Sequence, residues 1–194
     1  MNGKPLNCIV IGASQGGFEA LKKVLAPLPV DFSVPILVVR HQCARSDGYV
    51  VQALNQICQL KVKFAEQREC PQPGTVYLAP PDLHLLVDKE GCLQLVHSDP
   101  VHFSRPAIDP LFESAAHCYG SRLLAVVLTG ANSDGADGVV MVKKYNGRVL
   151  VQDPMTAEAD VMPKAALAAV EADYIIWLDQ IGPMLWTLTH KISA

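Results

Sequence analysis

The feature that most constrains the fold is a set of short runs, such as Leu124-Ala-Val-Val-Leu128, that are apolar on both faces and recur between longer stretches of helical periodicity. A strand with one face in water alternates apolar and polar residues. A strand apolar throughout must be covered on both sides, as in a parallel sheet built from βαβ crossovers and sandwiched between helices. Runs of this kind are read at 9–11, 35–40, 62–65, 75–79, 123–129, 148–152 and 174–177, with helices at 17–26, 48–56, 106–119, 135–145, 163–172 and 180–188. Pro106 near one helix start and Gly120 just past its end follow the usual asymmetry of helix termini. One stretch breaks the alternation: His84-Leu-Leu-Val, Asp88-Lys-Glu-Gly91 and Cys92-Leu-Gln-Leu-Val96 read as a β-hairpin. The expected architecture is a three-layer, doubly wound α/β fold whose mostly parallel sheet is flanked by helices, with the hairpin at the sheet edge.

With 194 residues, half of them hydrophobic and 18% charged, the chain suits one domain with a sizeable core, so 1–194 is expected to be a single domain. A formal net charge of −3 shows no basic footprint, and nucleic acid is not an expected partner. No apolar run approaches the roughly 18 residues that cross a bilayer, and the first residues have no h-region. Membrane insertion is therefore not expected, and the expected location is cytoplasmic. The six cysteines, at 8, 43, 58, 70, 92 and 118, contain no C-x-x-C pair, which points away from a disulfide framework or a zinc site.

The chemistry begins where Cys8-Ile-Val-Ile-Gly12-Ala13-Ser14-Gln15-Gly16-Gly17 passes from strand to turn to helix. Gly12 and Gly16 fit G-x-S-x-G, the spacing that exposes a serine hydroxyl on a sharp elbow, so Ser14 is a candidate nucleophile. A glycine-rich turn of this type also binds phosphates. In an open parallel sheet, catalytic groups gather beyond the carboxyl ends of the strands. His41 ends the second strand, and Asp134 lies in the loop Gly130-Ala-Asn-Ser-Asp134-Gly135 that follows Leu123–Thr129. A hydroxyl, an imidazole and a carboxylate on one rim are the parts of a serine hydrolase. Their order, Ser then His then Asp, and an elbow on the first strand set the chain apart from the α/β-hydrolases. Each has a plainer reading: His41 as a loop residue bonded to backbone, and Asp134 as the N-cap of the following helix. Asp137 reads as a macrodipole partner, and Asp153 is a second choice of orienting acid. A dinucleotide-dependent reductase is disfavoured, because none of the five tyrosines has a lysine four residues on.

Six blocks together resemble the catalytic domain of the chemotaxis protein-glutamate methylesterases, the CheB family. They are Gly12-Ala-Ser14-Gln-Gly-Gly, His41 after Val-Val-Arg, Pro73-Gly-Thr-Val-Tyr-Leu-Ala-Pro-Pro-Asp-Leu-His84, Ser104-Arg-Pro-Ala-Ile-Asp109-Pro-Leu-Phe, Leu128-Thr-Gly-Ala-Asn-Ser-Asp-Gly135 and Met162-Pro-Lys-Ala-Ala. The resemblance covers nearly the whole chain. It implies hydrolysis of glutamyl methyl esters on chemoreceptors, deamidation of receptor glutamines in some members, and the roles of nucleophile, base and orienting acid for Ser14, His41 and Asp134. Backbone N–H groups at Gln15 and Ala131 are the expected oxyanion donors, and Arg105 is a candidate for engaging an acidic substrate or else a solvated ion pair. This chain has Gln15 where the family has Thr, Arg40-His41-Gln42-Cys43 where it has Gln-His-Met-Pro, and Ala131-Asn132 where it has Met-Gly. The family's phosphorylatable receiver domain does not precede the catalytic blocks, which reads either as a stand-alone enzyme, with a receiver domain then a candidate regulator in trans, or as an isolated piece of a longer protein. A catalytically degenerate domain serving as a binding module is the alternative. No cofactor or metal is expected; His84 reads as serving its loop, and His97, His102, His117 and His190 lack ligand spacing.

Overall fold

The computed structural model describes residues 4–42 and 48–190; Cys43 lies outside them. Seven strands form one parallel sheet: β1 (Cys8–Ala13), β2 (Ile36–Arg40), β3 (Lys61–Phe64), β4 (Thr75–Leu78), β7 (Leu123–Val127), β8 (Arg148–Gln152) and β9 (Tyr174–Ile176). Their spatial order is β3-β4-β2-β1-β7-β8-β9. From β1 the chain passes to β2, then to β3 at the edge with β4 returning between them, and on the other side it winds outward from β7 through β8 to β9. In the central register Gly12 of β1 faces Val39 of β2 and Val127 of β7.

The apolar runs behave as their composition requires. Ile9, Ile11 and Ala13 of β1, Ile36 and Val38 of β2, and Leu124 and Val126 of β7 point to one face. There they meet α1 (Gly17–Leu25), α2 (Tyr49–Ile57) and α6 (Leu178–His190), through Leu21, Leu25, Leu54, Ile181 and Leu185. Cys8, Val10, Leu37, Val39, Ala125 and Val127 point to the other face. That side is covered by α3 (Ile108–Tyr119), α4 (Ala136–Lys144) and α5 (Val161–Ala169), through Leu111, Phe112, Val139, Val142 and Met162. Each fully buried aliphatic or aromatic side chain contributes about 1.5–3 kcal/mol relative to exposure. Because both faces are apolar, hydrophobicity alone does not choose a face for each helix; the hand of the crossovers does.

The hairpin forms from β5 (His84–Val87) and β6 (Leu93–Val96) as an antiparallel pair with its own two-stranded sheet. It sits beside the segment that follows edge strand β3, to which Leu93 is hydrogen-bonded at Arg68 and Glu69, and it buries Leu85, Val87 and Leu93 in the core under α3. Three helices start two residues from the expected positions, one of them α6, which begins at Leu178 rather than at 180. Pro106 precedes α3, which begins at Ile108, because Ala107 is extended and serves as N-cap. α5 begins two residues before Pro163, which its first turn accommodates because the N–H there needs no partner. Gly120, at φ +52°, ends α3 as expected. No helix among the described residues is long and apolar enough to cross a membrane.

Candidate active site

Ser14, His41 and the loop holding Asp134 follow β1, β2 and β7, three adjacent strands at the point where the winding direction reverses. Their backbones are tied together before any side chain is considered. The Ser14 N–H donates to the Thr129 carbonyl at 2.9 Å, and the His41 N–H donates to the Ala13 carbonyl at 3.0 Å. Gly16, at φ +74°, turns the chain into α1, whose Gly17 N–H closes back on the Ser14 carbonyl at 2.8 Å. A side chain at 16 would be strained by that φ and would also meet Glu158 at 2.7 Å.

The side chains converge. His41 Nε2 lies 2.7 Å from Asp134 Oδ2, and His41 Nδ1 lies 3.1 Å from Ser14 Oγ. The close carboxylate places the ring proton on Nε2, which leaves the Nδ1 lone pair facing the serine hydroxyl. The amide nitrogen of Asn132 lies 3.4 Å from the same Nδ1. Asp134 is fully buried. Burial alone would push its carboxyl up, but the His41 bond and two backbone N–H groups outweigh that and hold it below the usual carboxylate range. Those N–H groups belong to Ile108 (2.7 Å) and Asp109 (3.0 Å), the first two residues of α3. The reading of Asp134 as cap of the helix that follows it is therefore corrected: Gly135 is the N-cap of α4, with no side-chain cap, and Asp134 instead serves the N-terminus of α3.

Asp109 stands behind this carboxylate, and its significance was not legible from the motif that contains it. Its Oδ1 accepts the Gly138 N–H at 2.7 Å, and its Oδ2 lies 3.1 Å from His102 Nε2. Burial, reinforced by the charge of Asp134 and against the Gly138 bond, raises its pKa to about 6. The His102, Asp109 and Asp134 ligand atoms lie within 4.8 Å of one another. The Asp134 oxygens already accept three N–H groups, so this donor set fits a hydrogen-bonded relay rather than a cation site. Thr129 and Gln152, both buried, are further supports that sequence reasoning missed. Thr129 Oγ1 donates to the Gln15 carbonyl and accepts the Ala159 N–H, each at 2.9 Å, while Gln152 Oε1 accepts the Thr129 N–H at 2.9 Å.

Gln15 directly follows the serine and Ala131 follows Gly130, which packs against Ser14; both are exposed, and neither N–H donates to a backbone acceptor among the described residues. The loop that carries Ala131 is pinned at Gly130, whose N–H donates to Ala159 and whose carbonyl accepts from Met162. Arg105 is not brought to the serine. Its Nε donates to Asp82 at 2.8 Å and its Nη1 to the Ser98 carbonyl at 2.7 Å. Asp153 is likewise elsewhere, accepting the Met155 N–H, and His84 is a buried loop support bonded to Ala107 and Asp99. The cleft at the serine, ≈ 490 Å³, is lined instead by Ser14, His41, Arg40, Phe18, Glu19 and Glu158 among others. The relay of hydroxyl, imidazole and buried carboxylate, open to a polar cleft, is an arrangement that activates a serine for acyl transfer.

Residues 9–185 match the family profile described as CheB methylesterase. A chain of Leptospira interrogans, provisionally named protein-glutamate methylesterase/protein-glutamine glutaminase, is 46% identical over 183 residues, covering 94% of this chain and 95% of its own length. The protein-glutamate methylesterase/protein-glutamine glutaminase 2 of Caulobacter vibrioides is 37% identical over 97% of this chain, which spans only 56% of that protein. The crystal structure of the Thermotoga maritima CheB methylesterase catalytic domain superposes with a TM-score of 0.90 at 36% identity, covering 95% of this chain and 100% of that one.

Proposed function

The chain belongs to the CheB methylesterase family, and from that premise we propose that it hydrolyses glutamyl methyl esters on chemoreceptors to glutamate and methanol. Deamidation of receptor glutamines is the companion reaction of the same site, as the two-part names of the relatives suggest. In this reading residues 1–194 act as one cytoplasmic catalytic domain, and a receiver domain is a candidate regulator of it.

The observation that carries the reading is the unbroken relay from Ser14 Oγ through His41 Nδ1 and Nε2 to Asp134, at 3.1 and 2.7 Å. Ser14 attacks the ester carbonyl while His41 Nδ1 takes its proton, and the buried Asp134 carboxylate steadies the imidazolium that results. The negative oxygen of the tetrahedral intermediate is received by the N–H groups of Gln15 and Ala131; one such donor is worth on the order of 3 kcal/mol in the transition state. Collapse sends the His41 proton to the departing methanol, and water then cleaves the acyl-serine by the same route in reverse. Arg105, held by Asp82, contributes loop geometry rather than substrate contact.

The intact relay speaks for turnover rather than for a degenerate binding domain. A fluorophosphonate probe tests it: the protein is expected to label at Ser14, and His41→Ala to lose the labelling. Methanol release from a methylated receptor fragment is expected to vanish in Ser14→Ala. Turnover retained in that variant, or a wild-type chain that the probe leaves untouched, overturns the serine mechanism.

A further inference from the structure

The end of the sheet opposite Ser14 carries chemistry that ester hydrolysis does not use. β6 is flanked by β5 on one side and by residues 67–70 on the other. The Arg68 N–H donates to the Leu93 carbonyl at 2.8 Å, and the Leu93 N–H donates to the Glu69 carbonyl at 2.7 Å. Two residues thus oppose one, with Arg68 at φ +61°, which is the bond pattern of a G1 bulge in an antiparallel pair. On one side of the bulge Gln67 meets Gln94 across the strands, side chain to side chain, at 2.7 Å. The register then sets Cys70 directly opposite Cys92 on the other side, as a pair not joined by backbone hydrogen bonds. Such pairs have Cα atoms about 4.5 Å apart and side chains on the same face, within the roughly 4.4–6.8 Å range that a disulfide spans.

We propose that Cys70 and Cys92 form an oxidation site, at which a peroxide converts the two thiols into a disulfide that staples the β5–β6 hairpin to the segment following β3. Cys70 is exposed and lines a groove of ≈ 380 Å³ with Pro35, Pro73, Glu90 and Tyr119, so a small oxidant reaches its sulfur first. Cys92 is partly buried; its thiol, hydrogen-bonded to Cys70 and close to Asp88 and Glu90, is held protonated, with its pKa pushed up to about 11. Attack of the Cys70 sulfur on the peroxide O–O bond gives a sulfenic acid and water. Attack of the Cys92 sulfur on that sulfenic sulfur then forms the S–S bond and expels the second water. The two thiols lose two electrons and two protons, and hydrogen peroxide accepts them as two waters. Cys118 approaches the same turn, at 3.8 Å from where a Cβ on Gly91 would stand, and is the competing partner.

The test exposes the full chain to a small excess of hydrogen peroxide, blocks remaining thiols with iodoacetamide and maps the unreduced digest. The expected result is a linked peptide joining Cys70 to Cys92, lighter by two hydrogens and released by dithiothreitol. It is absent from Cys70→Ser and Cys92→Ser and retained in Cys118→Ser. Closing the loop constrains the unfolded chain, so the thermal midpoint of the oxidised protein is expected to rise by about 5–10 °C, and neither serine variant is expected to show the rise. Cys70 recovered as sulfinic acid beside an alkylated Cys92, a Cys92–Cys118 link, or an oxidised form that melts below the reduced one overturns the assignment.

Discussion

At Asp134 two carboxylate oxygens accept three N–H groups, and an amide in that position has one acceptor atom to offer them. Asp134→Asn is therefore expected to lower turnover by about 10³–10⁴-fold, because the imidazole loses its orienting carboxylate. It is also expected to cost about 1–3 kcal/mol of stability, because a buried backbone N–H at the head of α3 loses its partner; a denaturant titration alongside a turnover assay separates the two losses. Asp109 gives the opposite pH signature. Its folded pKa, raised to about 6, means that the stability it contributes is fully present below the unfolded value near 4 and is lost as pH rises through 6. Asp109→Asn keeps an acceptor for the Gly138 N–H and offers an amide N–H to His102. Denaturant midpoints measured from pH 4 to 7 are expected to lose a decline of up to about 3 kcal/mol in that variant.

Between elements, the β7 loop and the elbow approach closely. A Cβ on Gly130 would stand 2.9 Å from Ser14 Cβ and 2.5 Å from Met162 Cε. The methionine end can yield, whereas the serine is held on both sides by backbone bonds, so Gly130→Ala is expected to displace the nucleophile. A turnover loss of about 10–100-fold with a stability change of about 1–3 kcal/mol is the outcome to measure. This closeness was not readable from the sequence, although the glycine stood in plain view. Alternation of wholly apolar runs exposed the parallel sheet, since only burial on two faces permits them, and strand ends located Ser14, His41 and Asp134 on one rim. What stayed hidden depends on contacts between segments distant in the chain: Asp134 serving α3 rather than α4, Asp109 behind it, Arg105 turned to Asp82, and the bulge that brings Cys70 to Cys92. Helix starts at prolines were misplaced by two residues for a simpler reason, because proline fits before, at or just inside a first turn.

On the scale of the molecule, one sheet separates two cores, and they are not equivalent for function. Phe112 belongs to α3, whose first N–H groups hold Asp134, while Leu185 on α6 packs against the far face. Phe112→Ala and Leu185→Ala are each expected to cost about 2–5 kcal/mol in denaturant titrations. Turnover measured well below the melting transition is expected to fall in the first and hold in the second. The buried acid also bears on how a chain of this kind could become inert. A duplicate freed from hydrolysis could discard the hydroxyl at position 14 with little penalty to its architecture, but not the carboxylate at 134. Silent descendants of such an enzyme should therefore still carry their aspartate, and its presence in a paralogue is a poor witness to activity.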